Sequence, residues 1–354
     1  MKLVAALTAA ALLATAGTAA AAPPEHRDVQ RTIDELAKSG GALGIQVRID
    51  GRDTLRSGFA ERGSRSPVPH NGTFRIGSVT KPFVSTVVLQ LAGEGRLDLD
   101  APVVRHLPGL VDARITVRQL LQHTSGLYDH TEALPLDPAG FHTIRFKSWT
   151  EQELVDIATS RPLLFEPGTG QSYSNTGYVV LGMLIEKVTG RPYQHAVEQR
   201  IVKPLRLRDT VLPRTTVDVP GRHAHGYYPD AEGNVIDVTR LNPSWGGAAG
   251  EMISTTRDLD TFLAALLAGK LLKPAQQREL TRTTAVSPGY GLGLSVVRLE
   301  CGTTIYGHDG TIHGFASLML GTPNGKRFEL SVTDNGSNAE PGDAYRKLMN
   351  QHFC

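Results

Sequence analysis

An α+β fold is predicted for this chain: a sheet assembled from both ends of the sequence, with a mostly helical stretch between them. Three observations predict it. Strand-like alternation lies before about residue 60 and after about residue 290. Between about Leu97 and Pro213, helical spacing dominates, broken by Pro- and Gly-rich loops. No internal repeat is present, so the order is strands, helices, strands rather than a regular alternation. The expected division is a segment 1–22 that is removed, a sheet lobe from 23–90 and 240–354, and a mostly helical lobe from 91–239.

The elements follow in order. Met1-Lys2 precedes an apolar, Ala-rich run from Leu3 to Ala22, which stops at Pro23-Pro24. One charge, a short apolar core and small residues at its end describe a secretory signal peptide. The alternative, a buried N-terminal helix, lacks a polar face in its favour. Val29, Ile33, Leu36 and Ala37 have helical spacing, and Gly40-Gly41 ends that helix. Gly44 to Ile49 alternates as a strand, Asp50-Gly51 forms a hairpin turn, and Thr54 to Ala60 returns. Phe83, Val84, Val87, Val88 and Leu91 mark a buried helix that stops at Gly93-Glu94-Gly95. Thr150 with Glu153 is a capping box at the head of a helix to Ser160. Thr176 to Val188 is helical, with Gly190 at its end. Ser254-Thr255-Thr256 caps a helix from Arg257 to Ala268. Gly291–Leu299, Thr303–Tyr306, Phe315–Leu320 and Phe328–Thr333 read as strands, with Asn324-Gly325 as a hairpin signal. Asp343 to Phe353 is expected to be helical.

Composition narrows the function. The formal charge is +2, near neutral for 354 residues, and points to neither nucleic acid nor a membrane surface. No later run of about 18 apolar residues exists, and no Cys stands directly after the first one, where a lipid anchor would need it. A soluble, secreted protein without a membrane or lipid anchor is therefore expected. The two cysteines are Cys301 and Cys354. An even pair in an exported chain is expected to form a disulfide, the alternative being two unpaired buried thiols. No Cys/His pairs have ligand spacing, so no metal is expected; His223 and His225 read as loop residues.

Three clusters carry chemistry. In Ser78-Val79-Thr80-Lys81 the hydroxyl and the amine are three residues apart, on one helix face. A serine needs a base to become nucleophilic, and a desolvated lysine supplies one. Ser78 is expected at the N-terminus of the Phe83–Leu91 helix, where the helix dipole favours negative charge and its own N–H is a natural oxyanion donor. Tyr173-Ser174-Asn175 lies in a loop before a helix. There Tyr173 relays a proton, and Asn175 binds a substrate amide and orients Lys81. His308-Asp309-Gly310 lies where a strand is expected to end. Its imidazole exchanges a proton with Tyr173 near neutral pH, and Gly310 lets a ligand approach the backbone. Taken singly, each cluster has a structural alternative: a capping serine, a capping asparagine, a turn histidine. Their order, at a helix start, a loop and a strand, points to acyl transfer.

With these residues the chain resembles the secreted, actinomycete-type D-alanyl-D-alanine carboxypeptidases/transpeptidases, relatives of the class C β-lactamases and penicillin-binding proteins. Phe74 to Lys81, Gly95 to Asp100, Ile115 to Gln119, His123 to Leu127 and Glu166-Pro167-Gly168 carry the resemblance. So do Tyr173-Ser174-Asn175, Ser254 to Asp260, Tyr290 to Leu294 and His308-Asp309-Gly310. It implies an antiparallel five-stranded sheet flanked by helices, with an all-helical lobe. It implies Ser78 as the acylated nucleophile, Lys81 and Tyr173 as base and acid, and Asn175 on the acyl-side amide. His308 takes the place of a lysine, the N–H groups of Ser78 and Thr311 form the oxyanion hole, and Trp245 borders the cleft. It also implies the Cys301–Cys354 bridge, a monomer, and no cofactor. D-amino-acid peptides and β-lactams are the implied small-molecule partners.

Two departures bear on substrate. Relatives that release D-alanine carry a threonine after the histidine and an arginine on the adjoining strand, which hold the free carboxylate. Here those places have Asp309 and Ser295. A carboxylate from Asp309 repels a substrate carboxylate, with His313, if protonated, as a partial offset. The leading expectation is a D-alanyl-D-alanine carboxypeptidase. An esterase, D-aminopeptidase or β-lactamase is the nearest alternative, and a non-catalytic wall-peptide binding protein is the more distant one.

Overall fold

The computed structural model describes residues 26–336 and 342–354. The segment 1–22, expected to be a signal peptide, lies outside the described residues. The main sheet has strands β1 (Gly44–Ile49), β2 (Asp53–Gly58), β3 (Ser295–Arg298), β4 (Thr304–Ile312), β5 (Phe315–Gly321) and β6 (Arg327–Thr333). Their spatial order is β2-β1-β6-β5-β4-β3, and every pair is antiparallel. The five strands implied by resemblance thus become six. β3 is held to β4 through a short turn, closed by Leu299 N–H to the Thr303 carbonyl at 2.8 Å, and extends the sheet edge by one.

The termini meet in the middle of the sheet. Val47 of β1 faces Leu330 of β6, so the first and last strands are neighbours. The hairpin between β1 and β2 turns at Asp50 and Gly51, both with positive φ. Helices α1 (Arg27–Lys38) and α5 (Gly342–Phe353) cover one face. There Ile33, Val47, Leu330, Leu348 and Phe353 form one apolar cluster. Cys301 and Cys354 are bonded, with Cα atoms 5.9 Å apart, so the end of α5 is tied to the turn between β3 and β4. Closing that loop contributes about 2–4 kcal/mol.

Helix α2 (Thr80–Gly93) is the central element. Phe83, Val84, Val87, Val88, Leu89 and Leu91 are fully buried, which leaves no polar face and explains why the helix lies inside rather than on the surface. Burying each such side chain is worth about 1.5–3 kcal/mol. Its Phe83 ring stacks on Phe262 of α4 (Thr256–Leu267) at 3.7 Å, which fixes α2 to the second face of the sheet. Helix α3 (Asn175–Thr189) packs against α2 and ends at Gly190, in the left-handed conformation at φ 73°. The lobe boundary expected after residue 90 lies within α2.

β4 differs from its sequence reading. Strand character was expected to stop at Tyr306, yet the strand runs on to Ile312. The glycines that read as a turn serve close approach instead. A Cβ at Gly307 would lie 1.8 Å from the Met319 carbonyl oxygen, on the neighbouring strand. Asp309 and Thr311 therefore stand on an exposed strand face, and His313 falls beyond the strand, in the turn to β5.

Candidate active site

Ser78 sits in a single 3-10 turn, Gly77–Val79, that leads directly into α2. Lys81, one turn on, is fully buried. Its Nζ lies 2.9 Å from Ser78 Oγ, 2.7 Å from Asn175 Oδ1 and 2.9 Å from the Ala249 carbonyl oxygen. Two of these three neighbours only accept. Asn175 donates its Nδ2 to Asp129 at 2.8 Å, which leaves Oδ1 for the lysine. A neutral amine has two hydrogens and one lone pair. With both hydrogens taken by Asn175 and Ala249, the lone pair is left toward the Ser78 hydroxyl. Burial pushes the Lys81 amine down to about 7, against the opposing pull of Asp129 and Asp309.

Tyr173 closes the other side of Ser78. The residue is 42 % exposed as a whole, and its hydroxyl is hydrogen-bonded to Ser78. Lys81 Nζ lies 4.7 Å from the Tyr173 ring centre. Enclosure pushes the phenol well above its usual range, and the Ser78 hydrogen bond only partly opposes this. The phenol is thus protonated at neutral pH, while the amine is half deprotonated near 7. The amine and the phenol are thus shifted in opposite directions from their ordinary values, both by burial.

Backbone contact brings β4 to Ser78. Gly77, at φ 49°, leaves no room for a Cβ: one would lie 2.8 Å from Thr311 N and 2.7 Å from Thr311 O. Across the same seam a Cβ at Gly310 would lie 2.1 Å from the Ile76 carbonyl oxygen. Gly310 therefore makes room for the chain that carries Ser78, and it also lines the cavity. The seam sets the Thr311 backbone beside the Ser78 turn.

Other sequence expectations change. His308 is buried, and its Nε2 is 2.8 Å from the Tyr290 hydroxyl while its Nδ1 is 2.5 Å from the Asp309 carbonyl oxygen. The carbonyl only accepts, so Nδ1 carries the hydrogen and Nε2 receives one from Tyr290. Burial lowers the imidazole to about 4, so it stays neutral. Its ring centre is 6.3 Å from that of Tyr173, and among the described residues the two share no hydrogen bond. Proton exchange between them near neutral pH is thereby replaced by a fixed Tyr290–His308 contact. His313 gives no positive offset either. Its ring is stacked on Phe141 at 3.6 Å, its Nε2 bonds the Leu136 carbonyl, and burial lowers it to about 4. Asn175 accepts from Lys81 through Oδ1 and donates to Asp129 through Nδ2, and it also lines the cavity over Ser78.

The cavity that reaches Ser78 extends past the sheet to Val332, Tyr345 and Met349, and its whole volume is about 680 Å³. Leu136, Tyr228, Trp245 and His313 form an apolar, largely aromatic wall. Asp309, Thr311 and Ser295 also line it, and no Lys or Arg does among the described lining residues. The Asp309 side chain is 73 % exposed. Its one basic neighbour within 4 Å among the described residues is the neutral His308. Among the described residues no cluster of three or more His, Cys, Asp or Glu is arranged to hold a metal.

Sequence reasoning passed over Asp129, Ala249 and Tyr290. Ala249 acts through its carbonyl, which no side-chain pattern reveals. Asp129 follows His123-Thr124-Ser125-Gly126-Leu127 by two residues, and Tyr290 opens Tyr290-Gly291-Leu292; both stretches stood out only by resemblance.

The chain is similar to several known proteins. The family model described as Beta-lactamase matches residues 29–346. The structure of a D-stereospecific amidohydrolase from Streptomyces sp. is 42 % identical, covers 94 % of this chain and 99 % of its own, and superposes with a TM-score of 0.83. The D-amino acid amidase from Ochrobactrum anthropi SV3, complexed with L-phenylalanine, is 32 % identical over 93 % of this chain and 98 % of its own, with a TM-score of 0.80. Penicillin-binding protein 4 of Amycolatopsis lactamdurans is 27 % identical over 360 residues, 93 % of this chain and 91 % of its own.

Proposed function

The chain belongs to the Beta-lactamase family, and from that premise we propose that it is a serine hydrolase for amides of D-amino acids that carry a free ammonium group. The observation that carries the reading is Asp309, a negative charge exposed in a cavity whose described lining has no Lys or Arg. Such a site attracts a cation and repels the terminal carboxylate that a D-alanyl-D-alanine carboxypeptidase must hold. The likeness to the D-stereospecific amidohydrolase and the D-amino acid amidase supports the same choice. The wall of Leu136, Tyr228, Trp245 and His313 favours a bulky apolar side chain on the substrate over a methyl group.

The steps follow from the contacts. Neutral Lys81 takes the Ser78 proton as Oγ bonds to the amide carbon. The carbonyl oxygen becomes an oxyanion held by the Ser78 and Thr311 N–H groups. Tyr173 gives its proton to the departing nitrogen as the C–N bond breaks, and Lys81 returns a proton to the phenolate. Water then attacks the acyl ester by the same relay, freeing the acid and Ser78. No cofactor enters.

A substrate panel tests the reading: a D-amino-acid amide, its N-acetyl derivative, and a D-alanyl-D-alanine peptide with a free carboxylate. The free-ammonium amide is expected to be preferred, and Asp309→Asn is expected to reduce that preference about tenfold or more, an electrostatic loss of about 1.4 kcal/mol or more. Faster cleavage of the free-carboxylate peptide by the unaltered enzyme would instead mark a carboxypeptidase.

The pH profile gives a second check. The base must be unprotonated, so acylation rises with pH through about 7 and levels off above it. Asp309 holds the Lys81 ammonium up, so Asp309→Asn lowers the Lys81 pKa and moves the rising limb to lower pH. A limb that stays in place or moves up contradicts the assignment of Lys81 as base.

A further inference from the structure

His123-Thr124-Ser125-Gly126 makes none of the reactive contacts, yet the loop bearing Tyr173 hangs from it. The carbonyls of His123, Thr124 and Gly126 accept from the N–H groups of Ser172, Gly168 and Leu164 at 3.0, 2.8 and 2.8 Å. The His123 ring adds a fourth bond: its Nδ1 accepts from the Ser174 N–H at 3.2 Å. One residue therefore grips both neighbours of Tyr173, Ser172 by main chain and Ser174 by side chain. Its ring also lies along the Tyr173 ring, with centres 4.2 Å apart and planes inclined by 30°. Tyr290 packs on it edge-on at 4.8 Å.

This double grip requires the chain to turn back on itself at His123. Its φ is +59°, a left-handed conformation that His, Asn and Asp enter more readily than other non-glycine residues. Because Nδ1 accepts, the ring hydrogen is on Nε2, and that nitrogen has no hydrogen-bond partner among the described residues. The only polar contact of the ring is thus the one to Ser174. Burial, reinforced by the ammonium form of Lys81, keeps the imidazole well below its usual range and therefore neutral. A neutral ring with its acceptor engaged holds geometry and moves no proton.

We infer that His123 is a positioning residue that sets the Tyr173 phenol against Ser78, and that its contribution is confined to substrates whose leaving group needs a proton. The inference rests on the reading above, in which Tyr173 protonates the leaving nitrogen. It separates two substrates of one acyl group: an amide, whose nitrogen must be protonated to leave, and a p-nitrophenyl ester, whose phenolate leaves without it.

The test measures single-turnover acylation of both substrates by the wild type and by His123→Asn, His123→Phe, His123→Ala and Tyr173→Phe, with thermal melts to confirm folding. His123→Phe keeps the ring face and loses the acceptor; His123→Asn keeps an acceptor and tolerates the positive φ. A phenol displaced by about 1 Å costs about 10²-fold, so His123→Ala and His123→Phe are expected to lose about that factor on the amide and under tenfold on the ester. His123→Asn is expected to recover most of the amide rate. Should His123→Phe fail to fold, the Asn and Ala pair carries the same comparison. An unchanged amide-to-ester ratio in folded His123→Ala, or an Asn variant no better than Ala, overturns the inference while leaving Tyr173 in its role. A Tyr173→Phe variant with no selective loss on the amide removes the underlying reading as well.

Discussion

Replacing Lys81 with Met is expected to lower acylation by about 10⁴-fold, the upper range for loss of a general base. Met has nearly the volume of Lys without its amine, so the buried site stays filled and the fold persists. What disappears is the amine 2.9 Å from Ser78 Oγ, whose neutral form takes the serine proton in the proposed mechanism. Asn175 Oδ1 and the Ala249 carbonyl lose their donor, a penalty of about 1–3 kcal/mol in stability for each group left unpaired. Removing the desolvated amine offsets part of this, so the melting temperature is expected to move by a few degrees only. Single-turnover acylation with a D-amino-acid amide, run beside a thermal melt, checks both halves. More than a tenth of wild-type activity in a folded Lys81→Met protein contradicts the assignment. Arginine offers no rescue, because its guanidinium does not deprotonate in this range.

Gly310→Ala is expected to be nearly as damaging from a residue that bears no reactive group. The added carbon would stand 2.1 Å from the Ile76 carbonyl and 2.7 Å from Ser317 Oγ. Ile76 is main chain two residues before the nucleophile, so relief comes only by parting β4 from the Ser78 turn. That separates the Thr311 N–H from the oxyanion position. A shift of about 1 Å there predicts a loss of about 10²-fold or more in kcat/KM. Overpacking the seam is expected to cost a further 1–3 kcal/mol or so in stability. Full activity at an unaltered melting temperature would show that the seam does not position the oxyanion donors.

Much of this architecture was legible in the chain. The six strand segments were readable because each alternates and is bounded by turn residues, as at Asp50-Gly51 and Asn324-Gly325. The all-apolar stretch from Phe83 to Leu91 announced a central helix, since no polar side exists to face solvent. The far end of β4 was not legible. Gly307 and Gly310 are turn formers by their conformational freedom, and only tertiary structure shows that each is there for want of space. The pairing of Ser78 with Lys81 followed from helical spacing, which is local. The bonds that tune the lysine come from Asn175 and Ala249, 94 and 168 residues away, and the second is a carbonyl that any residue carries. His308 was read as a proton exchanger and His313 as a partial offset to Asp309, because free imidazole titrates near neutrality. Burial, which composition does not report, holds both near 4.

The account depends on Ser78 attacking the substrate and carrying its acyl group, not merely lying close to its neighbours. The most direct measurement is intact-protein mass spectrometry after rapid mixing with an activated D-amino-acid ester and an acid quench, at pH 8 and at pH 5. Wild type is predicted to carry one acyl group, mapped to Ser78 by peptide analysis, accumulating faster at pH 8, with none on Ser78→Ala. Turnover without any adduct at Ser78, or an equal adduct on Ser78→Ala, would contradict it.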